Sequence, residues 1–332
     1  MNRASRLFGI IMRNSMKHIF CQYLELLYGN TVRHKKPWKV SILSLVAFLM
    51  VAVFMERSPV CAQKLVIRQS SVPLVKKPTK PLVGQLPLSR IAEGEHDIRR
   101  AWFAGPTSRY SHGVLGDAIE ASQLVVETRS GHHIITQLPP DRVFEDLEPR
   151  VVDLTGDQTD EIIAIETHLQ QGASLVVYDL VGDGLVPIAA TPFLGKAYRW
   201  LNPVGVGDFD GDGAVDVALV ATPHIGGILR LYRVNRGRLS VFAEYTGVST
   251  HHIGSTELGL GRVVSGTPRD HILVPNQVRR RLMLLEWTPD GWREHDHTNV
   301  PGVLETSLIP VGPHRWRFKV DTGIWYDVFV VQ

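Results

Sequence analysis

Cysteine is almost missing from this chain: the 332 residues hold two, Cys21 and Cys61, and both precede residue 63. Everything downstream therefore lacks disulfides, and lacks the thiolates that complete most structural zinc sites. Residues 40–55 are a charge-free apolar run, at the short end for a membrane span and slightly long for the apolar core of a signal peptide. Beyond residue 91 no extended 3.6-residue periodicity occurs, which argues against a helical body. There is no Gly-x-Ser-x-Gly elbow, no phosphate-binding loop and no dinucleotide fingerprint. Twelve of the fourteen histidines lie beyond the first 95 residues, yet no pair has zinc-site spacing. His132-His133 and His251-His252 are adjacent, so each pair would face opposite ways on a strand; His295 and His297 share a face but make no site by themselves. Surface or channel histidines are the expectation.

A basic surface is lacking too. The 36 Lys/Arg and 33 Asp/Glu give a net charge of +3, but nine of the basic residues lie within residues 1–62 against Glu25 and Glu56. The rest of the chain has 27 basic and 31 acidic residues, a net of −4. Arg279-Arg280-Arg281 reads as an exposed hairpin turn, and with no aromatics interleaved among basic residues a nucleic-acid partner is not expected.

The front of the chain reads as an export signal. Arg33, Lys35, Lys36 and Lys39 precede the apolar run, and Val60-Cys61-Ala62 supplies small residues ahead of Gln63 for cleavage. Met16 offers a more ordinary start. Two readings stand for residues 1–62, a cleaved signal peptide and an uncleaved signal anchor spanning residues 40–55. Both place the bulk of the chain in the periplasm or outside the cell, because the positive flank stays inside. Only the anchor reading involves a membrane. Residues 63–95, with Pro73, Pro78, Pro81 and Pro87 among Lys76, Lys77 and Lys80, read as an extended linker.

From residue 96 to 332 short β-branched runs alternate with Gly, Pro, Asp and Asn. Residues 124–126, 161–165, 174–178, 228–234, 282–287 and 326–331 are expected strands; Asp183-Gly184, residues 235–237 and Asp290-Gly291 are expected turns. The segment that organises them is Asp208-Phe209-Asp210-Gly211-Asp212-Gly213-Ala214-Val215-Asp216. Carboxylates at alternate positions of a turning loop point inward, and hard Ca²⁺ takes six to eight oxygens. Asp208, Asp210, Asp212 and Asp216 are the candidate side-chain ligands, with the Ala214 carbonyl as the backbone one. Gly211 and Gly213 suit the positive φ such a turn needs. Leu219 at the twelfth position, where an EF-hand has a bidentate Glu, excludes that motif. A solvated acidic turn is the alternative.

The pattern Asp-x-Asp-Gly-Asp-Gly-x-x-Asp, with a Val/Gly strand before it and an apolar strand after, resembles the FG-GAP/VCBS repeat. That resemblance implies β-propeller blades, with calcium bound between the first two strands of a blade. Residues 153–162 align with 208–217 without a gap, a 55-residue step. Asp153, Thr155, Asp157 and Glu161 then form a possible weaker metal loop. The next step reaches Val263, with Gly266 beneath Gly211 and Asp270 beneath Asp160; Gly116 to Glu120 reads as a degenerate upstream copy. The fold expected is an all-β propeller of about five blades, five to seven being possible.

Arg109-Tyr110-Ser111-His112-Gly113, Tyr198-Arg199-Trp200-Leu201 and His251-His252-Ile253-Gly254 would sit near the channel end of such a ring. Arg109, Tyr110, His112, Tyr198, Arg199, Trp200 and His252 are the candidate ligand-channel residues, blade-to-blade packing being the alternative. Glu145, Asp146 and Glu148 precede a strand and read as a solvated loop. The favoured function is an exported, calcium-binding, non-enzymatic module for a glycan, peptide or envelope protein. The rival is a polysaccharide lyase or hydrolase with its site in the channel. Ring closure would pair a strand around residues 101–104 with the last blade.

Overall fold

The computed structural model describes residues 63–74, 80–235 and 237–331. The signal or anchor reading of residues 1–62 and the Lys76-Lys77-Pro78 part of the linker lie outside those residues. Among the described residues every regular element is a β-strand, and no helix is long and apolar enough to cross a membrane.

The strands form five four-stranded antiparallel meanders. After β1 (Lys64–Gln69) comes unit 1: β2 (Ala92–Glu93), β3 (Ile98–Thr107), β4 (Glu120–Thr128) and β5 (His133–Gln137). A short strand, β6 (Arg142–Phe144), pairs with both β4 and the next unit, joining units 1 and 2 into one nine-stranded sheet. Unit 2 is β7 (Arg150–Val152), β8 (Glu161–His168), β9 (Gly172–Val181) and β10 (Gly184–Ala190). Unit 3 is β11 (Leu201–Gly207), β12 (Asp216–Ala221), β13 (Ile228–Asn235) and β14 (Arg238–Thr246). Unit 4 is β15 (Arg262–Val264), β16 (His271–Pro275), β17 (Arg281–Thr288) and β18 (Gly291–Asn299). Unit 5 is β19 (Ile309–Gly312), β20 (Arg315–Lys319) and β21 (Trp325–Val331), completed by β1 from the other end of the chain.

Burial explains the two kinds of strand in the sequence. The second strands, β8, β12 and β16, are buried on almost every residue. They have a packed sheet on both faces, so they read as continuous apolar runs. The fourth strands, such as β5 and β18, alternate or face water. The largest core cluster spans units 1 to 3, with Phe103 stacked on Phe144 at 5.2 Å.

The 55-residue repeat is visible in the backbone. Asp153 accepts N–H bonds from Gly156 and Gln158 at 2.6 and 3.1 Å, and Asp208 accepts them from Gly211 and Gly213 at 2.7 and 3.0 Å. Gln158 takes φ of 71° where Gly213 takes 88°. Asp160 and Asp270, two steps apart, do one job. Each reaches the unit before it, Asp160 accepting from His96 and Ile98 N–H and Asp270 from Asp208 N–H. Gly207 is small for that reason: a Cβ there would lie 2.6 Å from Asp270 Oδ2.

Four expectations are corrected. Lys64 to Gln69, read as linker, form β1, because their alternation packs Leu65 into the core beside β21. Closure of unit 5 therefore comes from β1; Ala101 to Ala104 sit in β3, between β2 and β4. Gly116 to Ile119 join β3 to β4 and are no copy of the acidic loop; in unit 1 the loop between the first two strands is residues 94–97. For the same reason Arg109 to Gly113 follow a second strand, whereas the Tyr198 and His251 segments do precede first strands.

Candidate functional site

The acidic loop joins β11 to β12. Its turn is set by its own side chains: Asp208 accepts from Gly211 and Gly213, Asp210 from the Asp212 N–H at 3.2 Å, and Asp212 from the Ala214 N–H at 2.8 Å. One oxygen from each of Asp208, Asp210 and Asp212 falls within 4.8 Å of the others. Asp216 lies beneath them, fully buried, with Oδ2 lacking any hydrogen-bond partner. Burial pushes its carboxyl up to about 7, against the pull of Arg233. Arg233, from β13, brings one guanidinium to Asp210, to Asp212 at 3.4 Å and to Asp216 at 3.4 Å. Arg233 thus faces three of the four carboxylates, and Arg269 reaches the loop only at the Asp210 carbonyl, at 2.8 Å, which leaves a net negative group of hard oxygen donors.

The Asp153 loop has the same turn and a different charge economy. Glu161 accepts from the Leu154 N–H at 2.7 Å and from the Thr155 N–H and hydroxyl at 3.1 and 3.3 Å. Asp157 accepts from the Thr159 N–H and hydroxyl. Hydrogen bonds inside the loop occupy these carboxylates, and Asp153, Thr155, Asp157 and Glu161 bring no three ligand groups together among the described residues.

The other end of the units carries an aromatic and histidine cluster. β12 separates the two: the acidic loop enters its first residue, and Leu201, directly after Trp200, pairs with its last, Ala221. Tyr198 has a left-handed backbone at φ 60°, is 53% exposed, and stacks on buried Tyr110 at 5.2 Å while its N–H donates to the Tyr110 hydroxyl at 2.6 Å. An exposed aromatic held in a costly conformation is the kind of strain that collects at binding sites. His112 lies 5.2 Å from the Tyr198 ring, and its Nδ1 donates to Glu145 Oε1 at 2.5 Å. Glu145 is wholly buried, takes the Thr167 hydroxyl on Oε2 at 2.6 Å, and fixes the ring so that Nε2 is the nitrogen left for a ligand. Burial pushes the Glu145 carboxyl up, with His112 opposing. Trp200 donates its indole N–H to the Glu145 carbonyl at 2.7 Å and stacks on His224.

The tautomers of the next pair follow from their partners. His251 Nε2 meets the Ser255 carbonyl at 2.9 Å and must carry the proton, so its Nδ1 accepts from His224 Nε2 at 2.8 Å. Burial lowers His224 to about 4 and His251 to about 3, so both are neutral at pH 7 and His224 offers Nδ1 as an acceptor. A small pocket of about 70 Å³ is lined by His112, Tyr198, Arg199, Trp200 and His224, with exposed Ile225 and Ile253 at its rim.

Of the expected channel residues, His112, Tyr198, Arg199 and Trp200 come together here, and Tyr110 supports them from below. Arg109 turns away and donates to the Arg142 carbonyl. His252 is exposed; its neighbour His251 is the buried member. The larger cavity, about 390 Å³, lies where Arg150, Pro203, Arg262 and Ile309 of four first strands meet Arg90, just before the fifth. Arg90 pairs with Glu148 at 3.4 Å, Arg150 pairs with buried Asp146, and Arg262 donates to the Leu308 carbonyl at 2.7 Å. Burial holds Arg262 below its usual range.

Residues 145–148 are the largest correction at this site. Their carboxylates read as a solvated loop, yet Glu145 and Asp146 are completely buried because His112, Thr167 and Arg150 satisfy them from other elements. The only signal available was the density of acids beside an aromatic. Glu145→Ala strands two donors in the core and is expected to cost about 3–5 kcal/mol, while Glu145→Gln, which keeps the shape, costs about 1–2. Urea unfolding of the two variants checks this; a Gln variant as stable as the wild type would show that the charge is irrelevant, and losses equal to those of Ala would show that the retained shape contributes nothing.

No protein-family model matches the chain, and no curated protein matches it.

Proposed function

We propose that residues 63–332 form a five-bladed, FG-GAP/VCBS-like β-propeller that binds calcium in its third blade and serves as an exported binding module. The observation that carries the reading is the Asp208 loop: three carboxylates gathered within 4.8 Å above a buried Asp216 oxygen with no partner. A hard cation would satisfy that oxygen and the net negative charge together, so the residues fit calcium. Asp208, Asp210, Asp212 and Asp216 would hold it, with the Ala214 carbonyl. Its contribution would be rigidity at the end of the blade opposite the aromatic cluster.

The propeller reading rests on five four-stranded units whose first strands or their flanks border one cavity, and on β1 completing the last sheet. Export rests on the composition of residues 1–62. For the ligand, a shallow pocket with Tyr198 exposed above it favours recognition of a surface group over enclosure of a substrate. Tyr198 would stack against a sugar ring or a peptide side chain, and His112 Nε2 and His224 Nδ1 would bond its polar edge. The test is a binding screen of oligosaccharides and peptides against the wild-type chain and Tyr198→Ala. Ligands lost by the variant support the site, and undiminished binding would move it to the arginine-lined cavity.

The His112–Glu145 pair favours a second reading. A buried carboxylate that orients a pocket histidine is the arrangement of a general base, so the polysaccharide-cleaving alternative keeps one specific observation. New chain ends released from polysaccharide by the wild-type chain and not by His112→Ala would select that reading.

A further inference from the structure

The sequence offered no zinc spacing, but folding assembles one outside both sites described above. β16, β17 and β18 are consecutive neighbours in unit 4. Ile272 pairs with Leu285, so His271 and Glu286, one residue beyond each, are cross-strand neighbours. Leu284 pairs with Asp296 and Leu285 with Glu294, which leaves His295 as the extra residue of a bulge beside Glu286. Bulges re-aim side chains, and this one brings His295 Nε2 to 2.8 Å from Glu286 Oε2. The two imidazoles meet edge-on with centroids 4.7 Å apart.

We propose that His271, Glu286 and His295 form a binding site for a divalent transition metal of the zinc class, distinct from the acidic loop. One ring nitrogen of each histidine and one Glu286 oxygen lie within 4.8 Å of one another. Tetrahedral zinc with bonds of about 2.0–2.2 Å spaces its ligands about 3.3 Å apart. The 2.8 Å contact and the 4.8 Å limit bracket that spacing, so small side-chain rotations close the site. His271 is 5% exposed, Glu286 7%, and the His295 side chain 10%. His271 Nδ1 is buried without a hydrogen-bond partner, a condition interiors seldom keep.

The donor set decides the class of ion. Two imidazole nitrogens and one carboxylate suit zinc and its neighbours, whereas calcium takes oxygens almost alone. Arg269 at 3.7 Å and Arg293 at 4.0 Å from Glu286 repel a cation, so the imidazoles must supply most of the affinity. The other imidazole pair, His224 and His251, has its facing nitrogens engaged with each other and with Ser255.

The test uses the full chain, freed of metal and titrated with Zn²⁺ alone in a competition assay. One zinc per chain is expected, retained in Asp212→Ala and in excess Ca²⁺, and weakened at least tenfold in His271→Ala and in His295→Ala. Absence of stoichiometric zinc in the wild type would overturn the proposal. So would wild-type affinity in either histidine variant, or loss of zinc in Asp212→Ala. If an alanine variant does not fold, zinc X-ray absorption of the wild-type chain decides. Two imidazoles and a carboxylate oxygen support the site, and any other ligand set overturns it.

Discussion

Millimolar calcium raises the thermal unfolding midpoint of the full chain, and Asp212→Ala abolishes the rise. A ligand that binds only the folded state at one hundred times its dissociation constant stabilises it by about 2.7 kcal/mol, or roughly 5–10 °C for a domain of this size. The effect is large because the apo loop is electrostatically unfavourable: among the described residues Arg233 is the one cation paired with the carboxylates of Asp210, Asp212 and Asp216, and Arg269 reaches only the Asp210 carbonyl. The pH dependence carries the same signature. The folded Asp216 carboxyl sits at about 7, above the ordinary carboxyl value near 3.8. The folded state therefore binds the proton more tightly. The stability from this group is full below pH ~4 and is lost as pH rises through 7, at ~1.4 kcal/mol for each pH unit of separation. In chelator, the wild type is thus expected to be less stable at pH 8 than at pH 5. Asp216→Asn should flatten that slope and also remove the response to calcium. A chelated wild type with the same pH profile as Asp216→Asn would refute the buried-charge account, and an unchanged midpoint in calcium would leave the loop an acidic turn.

Val66→Pro destabilises the chain strongly, and Ile67→Pro, one residue away, does so only slightly. β1 is the edge strand of unit 5 and pairs antiparallel with β21. Leu65 N–H points away from β21, to the Asp296 carboxylate at 2.7 Å, and Ser70 N–H points toward it, to the Trp325 carbonyl at 2.8 Å. Strand alternation then turns the Val66 N–H toward β21 and the Ile67 N–H outward. Proline tolerates the outward position of an edge strand and removes a ladder bond at the inward one, about 2 kcal/mol with the acceptor left unpaired. Leu65 belongs to the core shared with Leu260, Leu284 and Val328, so loss of β1 opens unit 5 and uncovers β18 as well. Equal effects of the two prolines in equilibrium unfolding would mean that pairing of β1 with β21 does not hold unit 5 together.

The contrast between these two features shows where sequence reading succeeds. The acidic loop was legible because its donors lie within nine residues and its turn is made by its own Asp side chains and two glycines. The strands were legible for a similar reason. Two-sided burial imposes unbroken apolar runs on β8, β12 and β16, and Gly or Asp turns punctuate them. The 55-residue step survived at Asp153 and Asp208 because the same backbone turn needs the same acceptor. At Asp160 and Asp270 it survived because both clasp the preceding unit. All-β architecture in about five units follows from such local patterns.

What the local pattern could not carry, the tertiary structure decided. Lys64 to Gln69 are a strand only because β21, at the far end of the chain, presents an open edge. Glu145 and Asp146 look like solvent-facing acids until His112, Thr167 and Arg150 arrive from separate elements to satisfy them. Arg233 enters the acidic loop, and His271, Glu286 and His295 converge, through strand register and one bulge. Residues distant along the chain have no mutual spacing to read. Their chemistry exists once backbone pairing has set which side chains share a face, and burial has removed the water that would otherwise satisfy them.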